Sequence, residues 1–442
     1  MRQYFFAIMI GILCLLGIVI YRLAQKSVAL TQITPAQSLS KADRHEHDTE
    51  IESPTAEISG SSTADTNGDS NFGTLYGTTS AGGAANAGTV FTINSDGGGY
   101  SVLHSFSGGD GKNSNAVLIR GSDGMFYGTS VAGGALDFGT IFKISADGNV
   151  FLALHSFNGI DGKSPRGGLI QGIDGALYGT ASSDRTGPIS SEGKVFKIST
   201  DGSVFSILHT FSFIADRHGG MCPYARLIQG RDGMLYGTTL RGGESKNGTV
   251  FKISTDGTVC KVIHSFKDED GQNPETGLVQ GRDGSLYGTT PSGGLSDCGT
   301  IYKISTDGSV FKVLHSFNGE NEKDSHSGLV QDSDGSLYGT TTATVFKIDA
   351  DGVYSILLTF PADPNGGLWP APYGELIRGG DGMLYGTTER GGTSSGGTVF
   401  RIGTDGSNFS VLHSFGRDDG LSPHTGLIWI KGTHQRGEGH QF

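Results

Sequence analysis

Cysteine, tryptophan and basic residues are scarce. Of 442 residues four are cysteine and two tryptophan, and 32 Lys and Arg stand against 44 Asp and Glu, a formal charge of −12. The cysteines give no framework: Cys14 lies in an apolar N-terminal run, leaving Cys222, Cys260 and Cys298 without paired spacing. No CxxC pair or His/Cys cluster marks a zinc site. The acidity speaks against a nucleic-acid partner, because no basic stripe is present to neutralise phosphates. Common catalytic motifs are missing too, with no H-E-x-x-H and no isolated carboxylate pair. Gly162-Lys163-Ser164 imitates the end of a phosphate loop, but Phe157 stands where its first glycine belongs. These gaps do not exclude an enzyme whose site is assembled from distant loops.

Helical periods with caps are absent after residue 72. What is abundant is glycine, 74 of 442 residues, against about 7% in ordinary usage. The glycines do not fall at every third position, which excludes collagen, and they alternate with apolar runs such as Thr300-Ile-Tyr-Lys-Ile. Many short strands joined by tight turns fit this composition.

The N-terminus differs from the rest. Tyr4 to Tyr21 is an uncharged run of 18 residues, about 27 Å as a helix and just enough to span a bilayer. It ends in Tyr21-Arg22-Leu-Ala-Gln-Lys26, without a small-residue cleavage site, and Leu13 before Cys14 excludes lipidation there. Residues 1–26 therefore read as an uncleaved transmembrane anchor, with the remainder outside the cytoplasm. Residues 27–71, rich in Ser, Thr, Asp, Glu and Ala, read as an unordered linker.

A repeat fills the rest. Tyrosines of a Leu/Phe-Tyr-Gly-Thr motif fall at Tyr76, Tyr127, Tyr178, Tyr236, Tyr287, Tyr338 and Tyr385, so five or so dozen residues at most separate neighbours. A fixed period of this size signals a propeller or a solenoid. Each unit reads as four strands, a to d, with Asp-Gly at the a–b and c–d turns, for which primed two-residue hairpin turns are expected. The first unit lacks an a strand, and a spare one, Gly426-Leu-Ile-Trp-Ile430, ends the series. Pairing the two closes a ring and hides both edges. The expected fold is all-β: a seven-bladed β-propeller of four-stranded antiparallel blades over 72–430, closed by the C-terminal strand beside Thr74–Thr78, with a tail at 431–442.

The string Pro372-Tyr-Gly-Glu-Leu-Ile377, then Asp381-Gly-Met-Leu-Tyr-Gly-Thr-Thr, Gly391-Gly and Gly397-Thr-Val-Phe, resembles the choice-of-anchor GloVer tandem-repeat family. The resemblance covers 72–430 and implies an envelope-anchored bacterial repeat protein; it transfers no activity and no catalytic residue. The order of strands and glycines is also kelch-like, an analogy of fold alone.

Length changes concentrate in the b–c and d–a connections, which strand parity places at one end of every blade. The d–a segments Phe211 to Leu227 and Phe360 to Leu376 are the long ones. Variable loops on a rigid scaffold are where binding residues gather. The candidates are Trp369 and Tyr373 in one long loop and Arg217, His218 and Tyr224 in the other, three blades away. Asp268, Asp270 and Asn273 form a partial calcium loop lacking its distal glutamate; no other cofactor is expected. Histidines recurring in six of the seven d strands, such as His104 and His315, with Leu358 in the other, are expected to hold strands together. The leading expectation is a membrane-anchored extracytoplasmic binding or interaction module for a glycan or protein. The alternatives are a glycan-acting hydrolase or lyase with converging carboxylates on the same face, and an architectural envelope protein.

Overall fold

The computed structural model describes residues 72–182, 193–212, 219–320, 322–361 and 370–432. The proposed anchor and linker fall outside them, as does the tail from residue 433; Lys431, expected in the tail, belongs to the closing strand. Among the described residues no helix is long and apolar enough to cross a membrane.

Seven four-stranded antiparallel sheets follow one another around a ring. Blade 2 shows the plan, with strands a to d at Ile119–Arg120, Phe126–Ser130, Thr140–Ile144 and Phe151–Ser156. Strands b and c carry no in/out alternation. Every residue of Phe126–Ser130 is buried, and so is all of Thr140–Ile144 except Lys143. A strand covered on both faces has no solvent side on which to place polar residues.

The coverage comes from the adjacent blade. One apolar cluster joins Tyr76, Val90 and Phe106 of blade 1 to Leu118, Phe126, Phe142 and Ile144 of blade 2. Six more clusters repeat the arrangement, the last joining Tyr385, Val399 and Phe415 of blade 7 to Leu75, Phe91 and Ile93 of blade 1. The core is thus seven interfaces between blades, so stability rests on nearest-neighbour contacts. The motif glycine makes room for the c-strand aromatic: a Cβ on Gly128 would lie 2.5 Å from Phe142 Cζ and 2.8 Å from Leu118 Cδ2.

Closure follows expectation. Ile428–Lys431 pairs antiparallel with blade 1's b strand, with Thr74 opposite Ile430 and Leu75 opposite Trp429. Trp429 is the packing tryptophan, its indole lying where Cβ atoms on Gly73 and Gly380 would be.

The turns correct the expectation. In the a–b turn of blade 2, Gly124 N donates to Gly121 O (3.0 Å) and Gly121 N to Met125 O (2.8 Å). Gly124 has φ 81°, whereas Asp123 is not left-handed. A primed turn needs positive φ at its first central residue, and type I′ at both; this is a type I turn followed by a left-handed glycine. The aspartate is held right-handed because its Oδ1 accepts from Met125 N at 3.1 Å. A second feature escaped the sequence reading: every blade carries a β-bulge between c and d, at Ile141/Phe142 in blade 2 and at the equivalent residues elsewhere.

One blade departs from the pattern at a cost. Tyr302 occupies the c-strand place that Phe holds in the other six, is fully buried, and its hydroxyl has no hydrogen-bond partner among the described residues. Burial pushes its pKa far up. An unpartnered buried hydroxyl costs about 1–3 kcal/mol. Tyr302→Phe should therefore raise stability by about 1 kcal/mol or more, read as a higher denaturant midpoint at unchanged slope. A lower midpoint would refute it.

Candidate functional site

The repeated histidines and aspartates serve the scaffold. His104 Nε2 lies 2.9 Å from Asp110 Oδ2, in its own d–a connection. The same ring stacks on Phe151 of the next blade at 3.7 Å. His155, His264, His315 and His413 repeat the stack, the last on Tyr100 of blade 1. In the a–b turns Asp123 and Asp174 accept from the motif tyrosines Tyr127 and Tyr178, both at 2.7 Å. Asp283 is pushed up by partial burial, but Lys303 and Tyr287 outweigh this and hold it at about 2. The turn aspartates thus have structural employment.

The calcium-loop candidates point to separate partners. Asp268 Oδ1 accepts from Asn247 Nδ2 (2.7 Å) and Gln272 Nε2 (3.0 Å). Asp270 Oδ1 accepts from Lys267 N (2.6 Å), and its Oδ2 faces His264 Nε2 at 3.2 Å. Asn273 is left-handed, with φ 56°. Among the described residues no group of three or more His, Cys, Asp or Glu is placed to hold a metal ion.

A site does form where the d–a connections enter the a strands. Each connection ends on a left-handed non-glycine residue: Asn113, Ser164, Cys222, Asn273, Asp324, Ala371 and Ser422, all with φ between 49° and 56°. Asn and Asp tolerate this conformation, whereas Ala371 adopts it at a cost. A proline or serine follows, then one half-buried residue, then a small residue and the a-strand entry. The frame is pinned by the preceding blade: the first motif threonine donates to it, Thr129 Oγ1 to Pro165 O at 2.9 Å and Thr387 Oγ1 to Thr425 O at 2.8 Å.

The half-buried residue is the one that varies. Around the ring it is Asn115, Arg166, Tyr224, Glu275, His326, Tyr373 and His424, and all seven line one cavity of about 330 Å³. Neighbours touch. Arg166 lies over the Tyr224 ring at 5.2 Å. Glu275 Oε1 meets His326 Nδ1. His326 packs edge-on to Tyr373 at 5.0 Å, and Tyr373 is parallel to His424 at 5.9 Å.

Two residues further along, Arg226 of blade 4 reaches Glu375 of blade 7 at 2.8 Å. Glu375 fits because the equivalent residues of blades 5 and 6 are glycine: a Cβ on Gly328 would stand 2.5 Å from its Oε1, and one on Gly277 2.9 Å. Arg226 and Glu375 line both this cavity and a second one of about 330 Å³, which includes Ile377, Leu427 and Trp429. The ion pair therefore stands where the two meet.

Burial sets the electrostatics of the mouth. His424 is held below its ordinary value of 6.5 by burial, which the nearby Glu389 opposes and Arg390 and Arg166 reinforce, so it is mainly neutral at pH 7. Burial pushes the Tyr373 hydroxyl up, with Glu389 adding to the effect.

Of the ligand residues read from the sequence, Tyr224 and Tyr373 stand in this ring. Trp369, Arg217 and His218 lie outside the described residues. Asn115, Arg166, Glu275, His326 and His424 were missed. Their signal was available: at the third position before each a-strand leucine the repeats read Asn, Arg, Tyr, Glu, His, Tyr and His inside an otherwise constant frame.

These features define a closed seven-bladed repeat propeller with a chemically diverse central mouth on its variable-loop face. The chain belongs to the Gloeobacter/Verrucomicrobia repeat family, whose model matches residues 49–230 and 192–363. No curated protein matches it. In fold it is similar to the periplasmic gluconolactonase of Pseudomonas aeruginosa, at 14% identity and TM-score 0.57, over 81% of this chain and 99% of that one. It is also similar to a proposed 6-phosphogluconolactonase of Bacteroides fragilis, at 16% identity and TM-score 0.56, over 83% and 100%. Identities this low carry the fold alone.

Proposed function

We propose that the chain is a binding module that takes a small polar ligand into the central mouth of its b–c/d–a face. The reading rests on the ring of seven equivalent residues, diverse in chemistry where everything around them is constant, lining one cavity. Diverse polar and aromatic groups converging on a concave site are what recognition requires, whereas a purely structural ring has no need of diversity. The propeller is held at the membrane by the Tyr4–Tyr21 helix and displayed outside the cytoplasm, as the uncharged run and missing cleavage site suggest.

Two measurements test this. Protease added to intact cells should shave the propeller from an anchored stub; a protected propeller, or a mature N-terminus near residue 30, overturns the display. Tyr373→Ala should weaken ligand capture by about 1–3 kcal/mol, as for aromatic hot spots, with little change in melting temperature. Unchanged capture overturns the site.

A glycan-acting enzyme at the same place is the second reading, because two carboxylates, Glu275 and Glu375, line the cavity. Each is engaged by a basic partner, His326 and Arg226 respectively, which favours binding over acid–base work. Glu275→Gln separates the two readings: a binder retains capture, whereas an enzyme loses turnover of a bound glycan by orders of magnitude.

A further inference from the structure

Among the described residues, the charges around the mouth leave one cation over. Glu275 is held by His326, Glu375 by Arg226, and Glu389 faces Arg390 and His424. Arg166 lines the same cavity, and among the described residues no carboxylate pairs with it; its guanidinium rests on the Tyr224 ring. A guanidinium laid on an aromatic face is partly desolvated and fixed in direction, so it binds an oxyanion without first having to be ordered. Beside it in the ring stands Asn115, whose Oδ1 is buried and has no hydrogen-bond partner among the described residues. A buried acceptor without a donor is costly, and a ligand hydroxyl would satisfy it.

We infer that the ligand is a sugar acid, a polyhydroxylated ring or chain bearing a single carboxylate. The inference rests on the binding-module reading and specifies its ligand class. Arg166 takes the carboxylate, Asn115 accepts from a hydroxyl, and Tyr373 with the largely neutral His424 offers an apolar face and further hydrogen bonds. The three glutamates at the mouth set the valence. A phosphate, with nearly two charges, would meet one free guanidinium among carboxylates, whereas a single carboxylate is matched by it. A cavity of about 330 Å³ lies at the small end of ligand sites.

Titration calorimetry of the full-length chain with galacturonate and glucuronate, their neutral parents galactose and glucose, and glucose 6-phosphate tests the assignment. The uronates should bind at least tenfold tighter than their parents. Arg166→Gln should abolish that preference, lowering uronate affinity at least tenfold more than the affinity for the neutral parents, and Arg166→Lys should restore part of it. Tyr373→Ala should weaken uronate and parent alike. A preference that survives Arg166→Gln, or glucose 6-phosphate binding as tightly as the uronates, overturns the sugar-acid assignment. Neutral sugars binding as tightly as uronates in a Tyr373-dependent manner also overturn it, yet leave the mouth as the site. No binding of any probe, or binding indifferent to Tyr373→Ala, overturns both.

Discussion

Removing residues 425–442 should open the ring and make the chain aggregate. The deletion takes away Leu427, almost fully buried between blades 7 and 1, together with Ile428, Trp429 and Ile430. Losing Leu427 alone is worth about 2–5 kcal/mol by analogy with core truncations. The whole strand then accounts for much of the roughly 5–15 kcal/mol that holds a domain folded. The loss is also geometric, because Gly73–Tyr76 loses its partner and presents unpaired backbone at the ring's inner edge. Light scattering on size-exclusion fractions should show large aggregates in place of the discrete species formed by the intact chain. A truncation that keeps the size of the intact species and melts within a few degrees of it would refute the account.

Phe142→Ala should cost about 3–5 kcal/mol. Its side chain is fully buried and joins the cluster that binds blade 1 to blade 2, where Phe106 meets it edge-on at 5.3 Å. Gly128, which has no side chain so that this ring can fit, cannot fill the void. Because each interface is one link of a closed ring, weakening one loosens the whole, and the denaturant midpoint should fall in a single transition. Leu136, 57% exposed in a b–c connection, is the control: Leu136→Ala should stay within about 0.5 kcal/mol. A Phe142→Ala cost as small as that would refute the interface account.

The fold was legible because the physics repeats. Seven tyrosines at near-constant spacing fix the blade, and an orphan a strand at one end with a missing one at the other fixes the closure. The turn type was misread because Asp-Gly serves two geometries, and what decides between them is where the Asp123 carboxylate finds a backbone donor. The c–d bulge left no mark, since inserting one residue into a strand changes pairing but not composition. The ligand reading looked to loop length and so found Tyr224 and Tyr373, which lie at the ends of long connections. Arg166 and His326 end connections of ordinary length, so only comparison at a fixed register reveals them.

Gly432 N donates to Phe72 O at 3.0 Å, so the two ends of the described chain lie side by side. With seven interfaces of one kind, the cut between them has no privileged place. Join those ends with a short linker, open a different loop on the face away from the mouth, and the same contacts are written in a rotated order. The ring is in this sense a circular text, and a permuted gene beginning at any blade would spell the same central mouth.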